Sequence, residues 1–175
     1  MRALFIVNPQ ATTTTSRTRE VIVGALAAEL NLTVVETTHR DHASELARKA
    51  ATDGFELVLS LGGDGTVNEV VNGLLATPDD LPRPRYAVIP GGSANVFIRS
   101  LGVPGEPVEA AGAVLEAIRA GREREINLGR ITSDEDDRHF TFCAGFGWDA
   151  TSSSRSSTRA PRGAGPRPPC TPKWR

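Results

Sequence analysis

The sequence has little cysteine: Cys143 and Cys170 are the only two in 175 residues, too few and too ill placed for a disulfide scaffold. A reduced, cytoplasmic setting is the matching expectation. Long apolar runs are also missing: no stretch approaches the roughly 20 residues of a membrane-spanning helix. Ala3 to Val7, followed by Asn8-Pro9, is too short for the apolar core of a signal peptide. Aromatics make up only 5% of the chain, so a core must be built from Ala, Val and Leu, which suits aliphatic layers of an α/β fold. The last 25 residues contain no acid and no Ile, Leu, Val or Phe. All 21 acidic residues therefore precede residue 151, leaving −7 on the first 150 residues against +6 on the tail, for the net −1. An acidic body excludes nucleic acid as the main partner of the folded part. The length allows one domain, or one domain and a fragment of a second.

The most informative stretch is Leu57 to Leu75, LVLSLGGDGTVNEVVNGLL. Its apolar start reads as a buried parallel strand, and Val67, Val70, Val71, Leu74 and Leu75 follow helical spacing. Gly62, Gly63, Asp64, Gly65 and Thr66 thus form a strand-to-helix turn. Such a turn points backbone N–H groups at an anion, and glycine lets the anion come close. A carboxylate there, Asp64, is repelled by phosphate unless a cation bridges them or it handles a proton. The turn is expected to bind nucleotide phosphates with Mg²⁺.

Around it the chain alternates. Ala3 to Asn8 reads as a strand, Arg17 to Leu30 as a helix with apolar Val21, Ile22, Ala25, Leu26 and Leu30, and Leu32 to Thr37 as a second strand. His42 to Thr52 reads as a helix, with Asp41 as N-cap and Gly54 as stop. The order predicts a doubly wound parallel sheet with right-handed crossovers, an α/β nucleotide-binding domain over residues 1–122. The polar loop Gln10 to Ser16 is either a solvated connection with Ser16 as N-cap, or a site where Asn8, Thr12, Thr13 and Thr14 reach phosphate oxygens at the carboxyl end of the sheet. His39 and His42 lack nearby partners for a metal and read as surface or cap residues. Arg85 to Ile89 is a fourth strand, and Pro90-Gly91-Gly92-Ser93-Ala94-Asn95 a second glycine-rich turn. Pro107 to Ala120 is a helix with Val108, Ala111, Val114, Leu115 and Ile118 as its stripe. Glu123 to Ile131 and Arg138 to Ala144 then flank an acidic loop, Ser133 to Asp137, as an antiparallel hairpin opening a β-rich domain over 123–150. Residues 151–175, rich in Ser, Pro and Arg, cannot offset the entropy of ordering and are expected to be disordered.

Gly62-Gly63-Asp64-Gly65-Thr66-Val67-Asn68-Glu69 together with Pro90 to Asn95 resembles the diacylglycerol kinase catalytic-domain family, which includes soluble bacterial lipid kinases and sphingosine kinases. Asn8-Pro9, Thr37 before His42-Ala43, and Asn127-Leu128-Gly129 followed by Ala144 to Ala150 (AGFGWDA) are similar to the family in the same order. The resemblance implies an ATP- and Mg²⁺-dependent lipid kinase that phosphorylates a hydroxyl of diacylglycerol or a long-chain base. It implies nucleotide contacts from Asn8, Thr12, Thr13, Thr14, Thr37, Gly62, Gly63, Asp64, Gly65, Thr66, Val67, Asn68, Glu69, Gly91, Gly92 and Ser93, with Asp64 as catalytic and metal residue. It leaves room for peripheral contact with the inner membrane surface and for a homodimer. Catalysis would rest on positioning and charge neutralisation of the transferred phosphoryl group.

The likeness ends at Ala150, where family members continue into a β-sandwich that supplies acidic metal-site residues and a general base. The residues after Ala150 read as a frame-shifted or truncated product. A non-catalytic nucleotide-binding remnant is therefore one alternative. An NAD kinase-like enzyme, which shares the first glycine turn, is another.

Overall fold

A computed structural model describes residues 1–132 and 137–144. Four parallel strands form its centre: β1 (Arg2–Val7), β2 (Asn31–Glu36), β3 (Leu57–Gly62) and β4 (Arg85–Pro90). They lie in the order β2-β1-β3-β4. Ala3 faces both Leu32 on β2 and Leu57 on β3, and Gly62 faces Pro90 on β4. Every residue of β3 is buried, as a strand covered on both faces requires. Because successive side chains point to opposite faces, β1 feeds two cores. Phe5 and Val7 pack with Leu59 and Leu61 against α1 (Ser16–Ala27) and α5 (Pro107–Arg119), through Ile22, Leu26, Ala110, Ala111 and Leu115. Leu4 and Ile6 pack with Val58 against α2 (His42–Ala50) and α3 (Asp64–Leu75), through Ala43, Ala47, Ala50, Val70 and Leu74.

The chain is therefore an α/β fold with helices on both faces of a parallel sheet. The β1-α1-β2 connection leaves in one direction along the sheet and β3-α3-β4 in the other, so the strand order reverses between β1 and β3. A crevice opens outside the carboxyl ends of strands at such a point. Small residues allow α2 and α3 to lie close: a Cβ on Gly73 would come within 2.3 Å of the Ser44 carbonyl oxygen and 2.9 Å of the Ala47 methyl. On β3 the buried Ser60 hydroxyl meets the Tyr86 hydroxyl of β4 at 2.7 Å. Burial pushes the Tyr86 phenol above its ordinary range, against the opposing effect of the Ser60 hydrogen bond.

Several local expectations are corrected. Thr15, not Ser16, caps α1, its Oγ1 accepting the Thr18 N–H at 3.1 Å. Asp41 does stand at the N-cap position of α2, but in the left-handed region (φ 65°) and without a side-chain cap bond. Of the expected stripes Ile22, Leu26, Leu30, Ala111 and Leu115 are buried, whereas Val21 is 50% exposed and Val108 40%, and Ala110 joins the buried side of the later helix. The second glycine turn leads into a helix of only five residues, α4 (Val96–Ser100). The hairpin is antiparallel but shorter than expected, β5 (Gly129–Thr132) and β6 (Asp137–Phe140). Residues 123–127, rich in exposed charge, have no regular structure. Asp137, placed in the acidic loop by its neighbours, joins β6 and pairs with Arg130 of β5. That pairing holds the Asp137 carboxyl below its usual range.

Met1 to Phe142 form one compact unit; of the second, beginning at Cys143, the described residues comprise Cys143 and Ala144. The sequence marker at 145–150 and the tail at 151–175 lie outside the described residues. Among the described residues, no helix is long and apolar enough to cross a membrane.

Candidate functional site

The two glycine turns meet at the switch point. Gly91 N–H donates to the Gly62 carbonyl at 2.8 Å, and Thr13 N–H donates to the Gly91 carbonyl at 3.3 Å, strapping the loop after β1 across the second turn. The approach needs glycine at specific places. A Cβ on Gly92 would stand 2.6 Å from the Gly63 Cα, and one on Gly62 would stand 2.6 Å from the Thr66 Cβ and Oγ1. One on Gly91 would meet Ala11 and the Gly62 backbone at 3.0 Å. Gly91 and Gly92 thus serve turn-on-turn packing, and Gly62 leaves room for the Thr66 side chain.

Gly65 is different. It lies in the first turn of α3, exposed, and a Cβ there would meet nothing within 4 Å. Packing does not need a glycine at this position, and a helix disfavours it by about 1 kcal/mol relative to alanine. What glycine provides is an unobstructed path to the N–H groups of the first turn, where the helix dipole favours an anion.

Asn8 is the hub of the loop after β1. Its N–H donates to the Leu61 carbonyl at 2.9 Å, its carbonyl accepts from Ala11 N–H at 3.0 Å, and its Oδ1 accepts from Gln10 N–H at 2.9 Å. Its Nδ2 donates to Thr66 Oγ1 at 3.1 Å. The Asn8 carboxamide and the buried Thr66 hydroxyl thus join the first loop to α3. Thr37 sits at the carboxyl end of β2, its N–H donating to the Val7 carbonyl at 2.8 Å. The Val67 side chain is fully buried in an apolar cluster with Val71, Val88, Phe97 and Ile98, so it offers packing rather than a polar contact. Thr12, Thr13 and Ser93 are exposed; Thr14, Gly63, Asp64, Asn68 and Glu69 are half-buried.

Asp64 has a structural task. Its Oδ1 accepts the Phe97 N–H at 3.1 Å, so the first residue of α3 holds the start of α4. Asn95 fixes the same segment from the other side. Its Nδ2 donates to the Gly92 carbonyl at 2.6 Å and its Oδ1 accepts the Gly92 N–H at 3.1 Å, while its own backbone is left-handed (φ 47°). Asparagine tolerates that conformation better than most residues. Asn95 and Phe97 went unassigned in the sequence; an asparagine ending a glycine-rich turn was the available signal.

Two of the named residues carry a polar atom with unmet demand. Thr14 Oγ1 and Asn68 Oδ1 are buried without a hydrogen-bond partner. A buried oxygen left so costs roughly 1–3 kcal/mol, and a ligand supplying donors or a cation would recover it. Asp64 and Asn68 are four apart on α3 and share a face of the helix. A carboxylate and a carboxamide oxygen beside an anion path form a donor set that Mg²⁺ accepts, since it takes few protein oxygens and fills its shell with phosphate and water. The described residues hold no cluster of three His, Cys, Asp or Glu side chains that could bind a metal by themselves. His39 and His42 stack with ring centroids 4.6 Å apart, and His42 Nδ1 accepts the Thr38 N–H at 3.1 Å, which accounts for them as turn residues.

The sequence model of the diacylglycerol kinase catalytic domain matches residues 2–131. The chain is similar to a diacylglycerol kinase of Bacillus subtilis, 41% identical over 96 residues that make up 54% of this chain and 29% of that protein. It is similar to a probable lipid kinase (YegS-like) of Chromohalobacter salexigens, 35% identical over 149 residues, 84% of this chain and 45% of that one. A crystal structure of a diacylglycerol kinase from Bacillus anthracis matches with a TM-score of 0.60 at 38% identity, covering 66% of this chain and 39% of that one. The chain spans less than half the length of these relatives.

Proposed function

The chain belongs to the diacylglycerol kinase catalytic domain family, and on that premise we propose that the crevice outside β1 and β3 binds ATP with Mg²⁺ for phosphoryl transfer to a lipid hydroxyl, such as that of diacylglycerol. The observation that carries this reading is the open first turn of α3 at Gly65, a glycine that packing does not need. Phosphate oxygens would lie against the N–H groups of that turn, and the Thr14 hydroxyl, now without a partner, would donate to them. Asp64 and Asn68 are the residues that would hold Mg²⁺, whose charge neutralises that developing on the transferred group. Asp64 Oδ1 already accepts from Phe97, so Oδ2 is the oxygen left for the ion. A lipid acceptor would bring the reaction to a membrane surface, which fits a cytoplasmic protein in peripheral contact with the bilayer.

A second reading is nucleotide binding without turnover. Two measurements separate the readings. Calorimetric titration of the purified chain with ATP and MgCl₂ should show binding that weakens without the metal. Transfer of labelled γ-phosphate to diacylglycerol in mixed micelles then distinguishes a kinase from a binding domain. No heat of binding at millimolar nucleotide would defeat both.

A further inference from the structure

Asn72 lies on α3 two turns beyond Asp64, and its carboxamide does something that neither the nucleotide site nor the cores require. Its Nδ2 donates to the Asn68 carbonyl at 2.8 Å and to the His139 carbonyl at 2.9 Å, and its Oδ1 accepts the His139 N–H at 2.9 Å. Both amide hydrogens and the carbonyl oxygen are used. The pairing with His139 has the form of one rung of a β-ladder, with a side chain in place of a neighbouring strand. His139 lies on β6, opposite Arg130 of β5. A two-stranded hairpin is marginal by itself in water, and the outer edge of β6 would otherwise present its peptide groups unpaired.

The hairpin also builds a surface. Phe140 and Thr141, the next residues, line a cavity of about 450 Å³ together with Leu128, and Phe97 and Leu101 line its other side. Phe97 is the residue whose N–H is held by Asp64. Both walls are therefore hydrogen-bonded to one helix, one through Asp64 in its first turn and the other through Asn72.

We infer that Asn72 is a positioning residue: its carboxamide acts as a third strand for the hairpin and sets the Phe140 wall of this cavity at a fixed place relative to the first turn of α3. The consequence for phosphoryl transfer rests on the nucleotide reading above; the attachment of the hairpin does not. Asn72→Leu keeps the side chain's size and removes all three hydrogen bonds. Asn72→Asp keeps the acceptor for His139 N–H but sets a carboxylate oxygen against two carbonyls.

Amide hydrogen exchange of the nitrogen-15-labelled chain, with and without ATP and MgCl₂, tests this. In the unmodified chain the His139 amide should be protected, and nucleotide should shift the resonances of His139 and Phe140 along with those of Gly63 and Gly65. In Asn72→Leu, exchange at His139 should rise at least tenfold while the Leu59 amide in the central strand changes less than twofold. Nucleotide should then still shift Gly63 and Gly65 but no longer Phe140. Asn72→Asp should behave as Asn72→Leu at His139. Unchanged protection of His139 in Asn72→Leu would overturn the inference, and so would equal loss of protection at His139 and Leu59, which would make Asn72 a general stabiliser. If the unmodified chain binds no nucleotide, the kinase reading falls, and the exchange contrast between His139 and Leu59 still decides the role of Asn72.

Discussion

Gly65→Ala should move stability and ligand binding in opposite directions. A methyl at Gly65 meets no atom within 4 Å, and the residue is helical with φ outside the left-handed region. Alanine should therefore stabilise the fold by roughly 0.5–1 kcal/mol, through better helix propensity and a less flexible unfolded chain. For a domain of this size that is a rise in Tm of about 1–4 °C. On the nucleotide reading, phosphate oxygens approaching the first-turn N–H groups would meet that methyl, so the affinity for ATP with MgCl₂ should fall at least about tenfold, equivalent to ~1.4 kcal/mol. Scanning calorimetry without ligand and titration calorimetry with it measure the two effects on one preparation. Gly92→Ala is the contrast: its Cβ would stand 2.6 Å from the Gly63 backbone, so it should lose about 1–3 kcal/mol of stability by overpacking. Gly65→Ala that binds ATP as the unmodified chain does would refute the reasoning, because no ligand would then be using the space the glycine keeps open.

Asp64→Asn retains an oxygen for the Phe97 N–H, so Tm should change by no more than a few degrees while the Mg²⁺-dependent part of nucleotide affinity disappears; a large loss of stability would show that the charge itself holds α4. Gly73→Ala should destabilise by about 1–3 kcal/mol in urea titration despite its helix-propensity gain, since Ser44 and Ala47 leave no room for a methyl; a neutral result would mean that α2 and α3 separate freely. Burial holds the Tyr86 phenol above its ordinary value of 10.0 in the folded state. Its contribution to stability is therefore complete below about pH 10 and is lost as pH rises toward the folded value, because the unfolded chain gives up its proton first. Stability should fall with pH above that point in the unmodified chain and less so in Tyr86→Phe. The phenolate absorbance of this single tyrosine should appear at higher pH in folded than in unfolded chain, and ionisation of the folded protein at the ordinary value would contradict the shift.

The layers and the sheet were legible because they rest on local patterns. A strand covered on both faces needs a run such as Leu57 to Leu61, and a helix packed on a sheet needs Val70 and Leu74 one turn apart. The expectation of ligand contacts at the carboxyl end of the sheet followed from the alternation of strands and helices. Less legible were features set by tertiary geometry. Val21 and Val108 are as apolar as their buried neighbours, and only the seating of α1 and α5 decides which side meets β1. Within the site, Gly62, Gly65, Gly91 and Gly92 are identical letters, yet Gly91 and Gly92 are crowded by the backbone of the facing turn, Gly62 by the Thr66 side chain, and Gly65 by nothing. Asn68 and Asn72 are equally alike: one has an unpartnered oxygen beside the first glycine turn, while the other is fully engaged with a strand sixty-seven positions away. Nothing local to α3 could have named His139 as its partner.

The central place of β1 shapes how the chain reaches its native state. Phe5 and Ile6 face opposite cores, and their strand is paired on one side with β2 and on the other with β3, where Ala3 meets Leu57. During synthesis β1 therefore waits for a partner made some fifty residues later, its apolar side chains uncovered on both sides. Closing that long loop must precede most of the burial that rewards it. Folding should thus depend on how quickly β3 finds β1, and the interval before it does is when the nascent chain is most open to aggregation and most in need of a chaperone.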